Sequence, residues 1–235
     1  MRASLLVGVL MTAAAVANSA TSETLRAATP AGGIIVGVIT TREPAPKPLR
    51  VALDASVCGE TVPDESVAVN AAGQVSGAVV TIAGVKSPAP ASVQIENRKC
   101  AFAPHVSVLR PRGDVKIVSR DPLIHTTHAA TAAAKALFNI SLPIQDVVVS
   151  RPIEKPGVVT LTCGTHTWMR GYIIVTEELA AVSGTDGSFR IEGVPAGPQA
   201  VRIWHETLSA APIQITIREG ETATVNVTLV KPATR

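Results

Sequence analysis

Short apolar runs, each stopped within a few residues by glycine or proline, restrict the fold of this chain more than any other feature. Seventeen Gly and seventeen Pro are spread along its 235 residues. Such punctuation suits short strands and tight turns better than long helices. "GIIVGVITT" (33–41) reads as a first strand, and "LRVALD" (49–54) alternates like another. "VQIENRKCAFAPHVSVLRPRGDVKIVSRDP" (93–122) predicts three short strands, with "GD" at 113–114 turning into the last. "PGVVTLTC" and "GYIIVTEE" predict two more. The best helix candidate is the alanine-rich stretch 129–137, which reads equally as a loop across the end of a sandwich. Ten or more short strands, roughly, argue for an all-β sandwich. Aromatic residues make up only 3% of the chain, so Ala, Val, Thr and Ile must fill most of the core.

The first twenty residues have a different texture. Arg2 precedes an apolar stretch from Leu5 to Val16, and small residues follow. This is the pattern of a secretory leader, expected over 1–20 with a linker at 21–32. The apolar stretch is shorter than the ~20 residues that span a bilayer, and no later segment is long and apolar enough to do so. The chain is therefore expected to be exported, most simply to a periplasm, and to meet oxidising conditions. A net charge of +3 without a basic run gives no footprint for nucleic acid.

Chemistry concentrates in "TLTCGTHTWMRGYIIV" (160–175). Cys163, His166 and Met169 stand at equal spacing between two strand-like runs, in a chain with only three Cys, five His and three Met. By alternation, Val159, Leu161 and Cys163 share a face, which puts Cys163 at the core-facing end of its strand. A thiolate and a thioether together are soft and favour copper. Zinc accepts thiolate and imidazole but rarely a thioether. Two imidazoles, one thiolate and a weak axial thioether make a trigonal electron-transfer copper site. The loop supplies three of these, so a second histidine must come from elsewhere. "VSRDPLIHTTH" (118–128) offers His125, with His128 competing for the role.

The motif "CGTHTWMRGYIIVTEE" resembles the C-terminal ligand loop of the cupredoxins, and most of all that of amicyanin. Cys163, His166, Met169, Arg170 and Gly171 carry the match. Upstream, "GDVKIVSRDPLIHTTH" resembles the family's Gly-Asp turn, strand and first histidine ligand. The resemblance, over about 93–178, implies His125, Cys163, His166 and Met169 as copper ligands and a Greek-key β-sandwich. It also implies one-electron transfer by Cu(I)/Cu(II) cycling with a transient redox partner, in the periplasm for an exported chain. It implies an exposed His166, ringed by an apolar patch that includes Trp168. Thr126 stands where the family usually has an asparagine that braces the ligand loop.

Cys58 and Cys100 are natural disulfide partners in an exported protein, which leaves Cys163 for metal. A second metal site with His105, or unpaired thiols, are the alternatives. For His105 the plain reading is a strand-end histidine with a structural hydrogen bond, and for His205 a pairing with Glu206. Residues 184–197, "GTDGSFRIEGVPAG", resemble the carboxypeptidase regulatory-like, transthyretin-like β modules through Gly187, Phe189, Ile191, Val194, Pro195 and Gly197. The expected organisation is a cupredoxin-like domain over 33–178, with extra N-terminal strands, and a small β-sandwich module over 179–235.

The leading function is a mononuclear copper electron carrier. Copper delivery or storage, and a structural module without metal, are the competing classes. No Ser-His-Asp arrangement, nucleotide loop or multicopper cluster is legible, so an enzyme is not expected.

Overall fold

The computed structural model describes residues 32–86 and 89–233. The expected leader and all of the expected linker but Gly32 lie outside them. The chain opens with β1 (Gly33–Thr41), β2 (Leu49–Arg50), the single-turn helix α1 (Ala55–Cys58), β3 (Thr61–Val62) and β4 (Val79–Lys86). The middle carries β5 (Ser92–Arg98), β6 (Ala101–Ala103), β7 (Val106–Leu109), β8 (Gly113–Ser119) and β9 (His125–Thr131). It continues with β10 (Ala136–Leu142), β11 (Val149–Ile153), β12 (Gly157–Cys163) and β13 (Arg170–Val175). The last part adds β14 (Glu178–Val182), β15 (Ser188–Val194), β16 (Gly197–Trp204), β17 (Ile213–Ile217), β18 (Thr222–Thr224) and β19 (Val227–Leu229).

The fold is all-β, as the punctuation predicts, and it contains two sandwiches. In the first, the sheet β10-β9-β12-β13-β7 packs on the sheet β11-β8-β5-β6. Ile95, Phe102, Leu109, Ile117, Leu161 and Ile173 fill the space between them. In the second, β14-β4-β16-β17 packs on a sheet in which β1 lies between β15 on one side and β18 and β19 on the other. Ile35, Ile39, Ile82, Phe189, Val201 and Leu229 form its core.

This arrangement corrects the expected boundary at 178/179. β1 and β4 belong with the C-terminal strands, so the first sandwich is an insertion between two parts of the second. The reason lies in β1, which buries every second residue from Gly33 to Thr41 and needs a partner on each edge. Its Gly37 runs so close to the segment between β18 and β19 that a Cβ there would stand 1.8 Å from the carbonyl oxygen of Val225. Only a residue without a side chain allows that approach.

Neither of the two readings of 129–137, a helix or a loop across the end of a sandwich, describes the fold. That stretch is the hairpin of β9 and β10, with Ala134 in a left-handed turn at φ 57°. Alanine favours helix in isolation, but β9 is hydrogen-bonded on both edges, by β10 and β12. Tertiary pairing here overrides local propensity.

The two sandwiches meet through a third cluster. Val106, Val108, Tyr172 and Ile174 of the first pack with Val79 of the second and the half-buried Trp204. Tyr172 meets Trp204 edge-on, with ring centroids 5.3 Å apart. Residues 49–62, comprising β2, α1 and β3, stay outside both sandwiches. They form a strap joined to the first by a Cys58–Cys100 disulfide.

Candidate metal centre

β9 and β12 are antiparallel neighbours, with Cys163 opposite Thr127. His125 lies two residues before Thr127, at the start of β9, on the same face and therefore beside the sulfur. Alternation buries His125, Thr127 and Ala129 and leaves Thr126 and His128 half-buried on the other face. Strand parity thus puts His125, and not His128, on the buried face that carries the Cys163 sulfur.

The loop after Cys163 turns back at once. Gly164 N–H donates to the Thr126 carbonyl (3.0 Å), and Met169 N–H donates to the His166 carbonyl (2.9 Å). The first of these ties the loop to β9 through the backbone of Thr126, so this brace does not depend on the side chain at that position. His166 N–H points at Cys163 Sγ from 3.4 Å.

Three donor atoms converge. Cys163 Sγ is 3.8 Å from His125 Nδ1 and 3.7 Å from His166 Nδ1, and the two Nδ1 atoms are 3.1 Å apart. The centre of a triangle with these sides lies about 2.1 Å from each corner, matching metal–nitrogen and metal–thiolate bonds of ~2.0–2.3 Å. His125, Cys163, His166 and Met169 are all buried, and Met169 shares the core cluster of Cys163. Cys58 and Cys100 are consumed by their bridge, so Cys163 is the free thiol among the described residues.

Burial alone would push the Cys163 thiol up. The hydrogen bond with His125 and backbone N–H groups of His166, Thr126 and Thr165 outweigh it and bring the thiol down to about 6. The sulfur is thus prepared as a thiolate, the form that binds metal.

Each histidine also has a carboxylate behind it. His125 Nε2 is 3.0 Å from Asp121 Oδ2, and His166 Nε2 is 3.0 Å from Asp54 Oδ2. A carboxylate only accepts, so each Nε2 donates and each Nδ1 faces the centre; at His125 that Nδ1 donates to the thiolate in the metal-free protein and would give up its proton to bind a metal. This is the usual way in which a metal-binding histidine is oriented. Asp121 further accepts from Lys99 N–H (2.7 Å) and Cys100 N–H (2.9 Å). It thereby holds a turn in which both residues are left-handed, at φ 51° and 54°. Trp168 Nε1 donates to the Cys100 carbonyl (3.1 Å), which joins the ligand loop to the same turn.

Two expectations need correction. His166 is not the exposed edge of the site: its exposure is 0%, with Asp54 of the strap on its Nε2 and the Trp168 ring 5.1 Å from its own. His205 does not pair with Glu206 but accepts from the N–H groups of Thr207 and Leu208 through Nδ1. Glu206 pairs instead with His105, across the junction of the sandwiches. Asp54 and Asp121 escaped sequence reasoning. Asp121 had a signal, a carboxylate four residues before His125. Asp54 had none, being 112 positions from His166.

No family model and no curated protein matches the sequence. Among solved structures, similarity is found to a purple cupredoxin from Nitrosopumilus maritimus, at 22% identity over 36% of this chain and 99% of that one, with a TM-score of 0.32. Two reduced amicyanin variants each match at 19% identity over 41% of this chain and 98% of theirs, with a TM-score of 0.33.

Proposed function

We propose that this chain is a mononuclear copper protein that carries single electrons, with His125, Cys163, His166 and Met169 as the ligand set. One observation carries the reading: two imidazole nitrogens and one free thiol sulfur converge at bonding distance from a common point, and the buried Met169 shares the core cluster of that sulfur. The mixture of imidazole, thiolate and thioether favours copper over zinc. Bound there, copper supplies one-electron exchange between Cu(I) and Cu(II).

The protein's part is to hold the frame. Asp121 sets the orientation of the His125 ring, and backbone N–H groups fix the sulfur. Burial keeps water from the centre. A frame that serves both oxidation states lowers the cost of changing between them. The reading assigns no chemical turnover to the chain. Its partners are redox proteins that dock briefly, as small redox interfaces do. Export to a periplasm is supported by the leader-like first twenty residues and agrees with a disulfide formed under oxidising conditions.

The test is the visible and EPR spectrum after adding Cu(II) to the chain from about Thr21 onward. An intense thiolate-to-copper band with narrow hyperfine splitting, lost in Cys163→Ser, is expected. A colourless protein, or the spectrum of loosely held Cu(II), would overturn the electron-carrier reading. Transfer of Cu(I) to an acceptor without a redox change would indicate delivery instead.

A further inference from the structure

The strap over residues 49–62 covers His166 in an unusual way. Leu53 and Val57 remain 50% and 36% exposed, although both are apolar. Val51 packs against the core of the first sandwich. What the strap directs at the ligand loop is a carboxylate, Asp54, and what fastens it four residues later is Cys58, bonded to Cys100.

Asp54 adopts φ 59° and ψ 34°, a left-handed conformation that a residue with a side chain enters at a cost. Its carbonyl accepts from the N–H groups of Val57 and Cys58, both at 2.9 Å, which anchors that conformation in the turn of α1. The result is a side chain about one-third exposed on its outer side and bonded on its inner side to an imidazole with no exposure. Asp121 does the same for His125 from within the sandwich. The two ligand histidines therefore have matching carboxylates, one supplied by the core and one by the strap.

We infer that Asp54 is a positioning residue for the metal centre. It holds His166 with Nδ1 turned inward, closes the edge of that ring to solvent, and places a negative charge behind the ligand that favours the oxidised metal. The Cys58–Cys100 bridge keeps the strap in register for this contact. The inference deepens the copper reading and rests on it for its redox consequence, while the ring orientation belongs to the metal-free protein.

Two measurements on the full chain test it. The first is the imidazole nitrogen NMR of the metal-free protein. Wild type is expected to hold His166 as the Nε2–H tautomer, Asp54→Asn to keep it because the amide oxygen still accepts, and Asp54→Ala to lose it. A His166 protonated at Nδ1 in wild type, or an unchanged tautomer in Asp54→Ala, overturns the inference. The second is the reduction potential and rate of copper release, read on protein with the thiolate-to-copper band. Asp54→Asn is expected to shift the oxidised–reduced equilibrium about tenfold toward the reduced form, ~59 mV for one electron. Asp54→Ala is expected to release copper at least ~10-fold faster, within the range seen when such outer partners are removed. Unchanged potential and release in both variants would also overturn it. Absence of the band in wild type would instead remove the copper reading, and the tautomer would still decide the role of Asp54.

Discussion

His105 of the first sandwich and Glu206 of the second form an ion pair at the junction, with 13% and 5% of their side chains exposed. His105 also meets Tyr172 edge-on, and its Nδ1 lies 3.5 Å from Glu65 Oε2. The contact joins two units whose strands share no sheet, so its charge state bears on how firmly they are held together.

A pH dependence follows from this pair. Burial pulls His105 down, but Glu206 and Glu65 outweigh it and raise its pKa above the ordinary value. The protonated imidazole is therefore favoured in the fold. Its contribution is complete below the unfolded value of ~6.5 and is lost as pH rises through the raised folded value. Glu65, raised chiefly by burial, works in the same direction from its own lower range. His205, held down by burial, acts oppositely, below ~6.5. The Cys163 thiol, brought down to about 6, works the opposite way above that pH, so the effect is read as a difference between proteins: the melting-temperature deficit of Glu206→Gln against wild type should shrink as pH rises through the raised value of His105. Thermal unfolding of both proteins across a pH series checks it, and a deficit that stays constant would remove His105 as its source.

Gly37 tests the assignment of β1 to the second sandwich. A Cβ there meets the Val225 backbone, which cannot rotate away. Gly37→Val should cost about 3 kcal/mol or more, at the upper end of overpacking penalties, and loosen β18 and β19. Denaturant unfolding gives the energy, and amide exchange at Thr222–Thr224 locates it. Near-wild-type stability would mean that the strands are not packed as described.

The Cys58–Cys100 bridge closes a loop with a sequence separation of 42. Replacing both cysteines by serine should lower stability by about 3–4 kcal/mol. It should also raise amide exchange across 49–62 before the sandwiches open. If the strap exchanges no faster than in wild type, packing rather than the bridge holds it.

Met169 is buried with Cys163, and Met169→Leu nearly conserves its volume. The metal-free variant should stay within about 1.5 kcal/mol of wild type. The copper form should change its spectrum and potential, because the axial thioether tunes such sites. Identical spectra would take Met169 out of the ligand set and leave it as core filler.

Much of this protein is written locally. Period-two burial, glycine and proline punctuation and the spacing of Cys163, His166 and Met169 are properties of neighbouring residues, so the strands and the loop that joins β12 to β13 are legible one after another along the chain. The placement of Cys163 at the inner end of β12 follows from the same alternation. Even Asp121 lies close enough to His125 for a careful reading to suspect it.

What the sequence could not supply is pairing between distant segments. An isolated strand such as 33–41 carries the same alternation whichever sheet receives it, and only the narrow space beside Val225 gives Gly37 its meaning. The alanine-rich stretch 129–137 has helical propensity, and it becomes a hairpin because β12 pairs with its first half and buries Ala129 in the sandwich core. Asp54 reads as an ordinary loop carboxylate until the strap, stapled through Cys100, is laid across His166. Local steric and apolar patterns act over a few residues and leave their mark in order. Burial and hydrogen bonding between remote segments depend on the whole packed arrangement, and only the tertiary structure decided those.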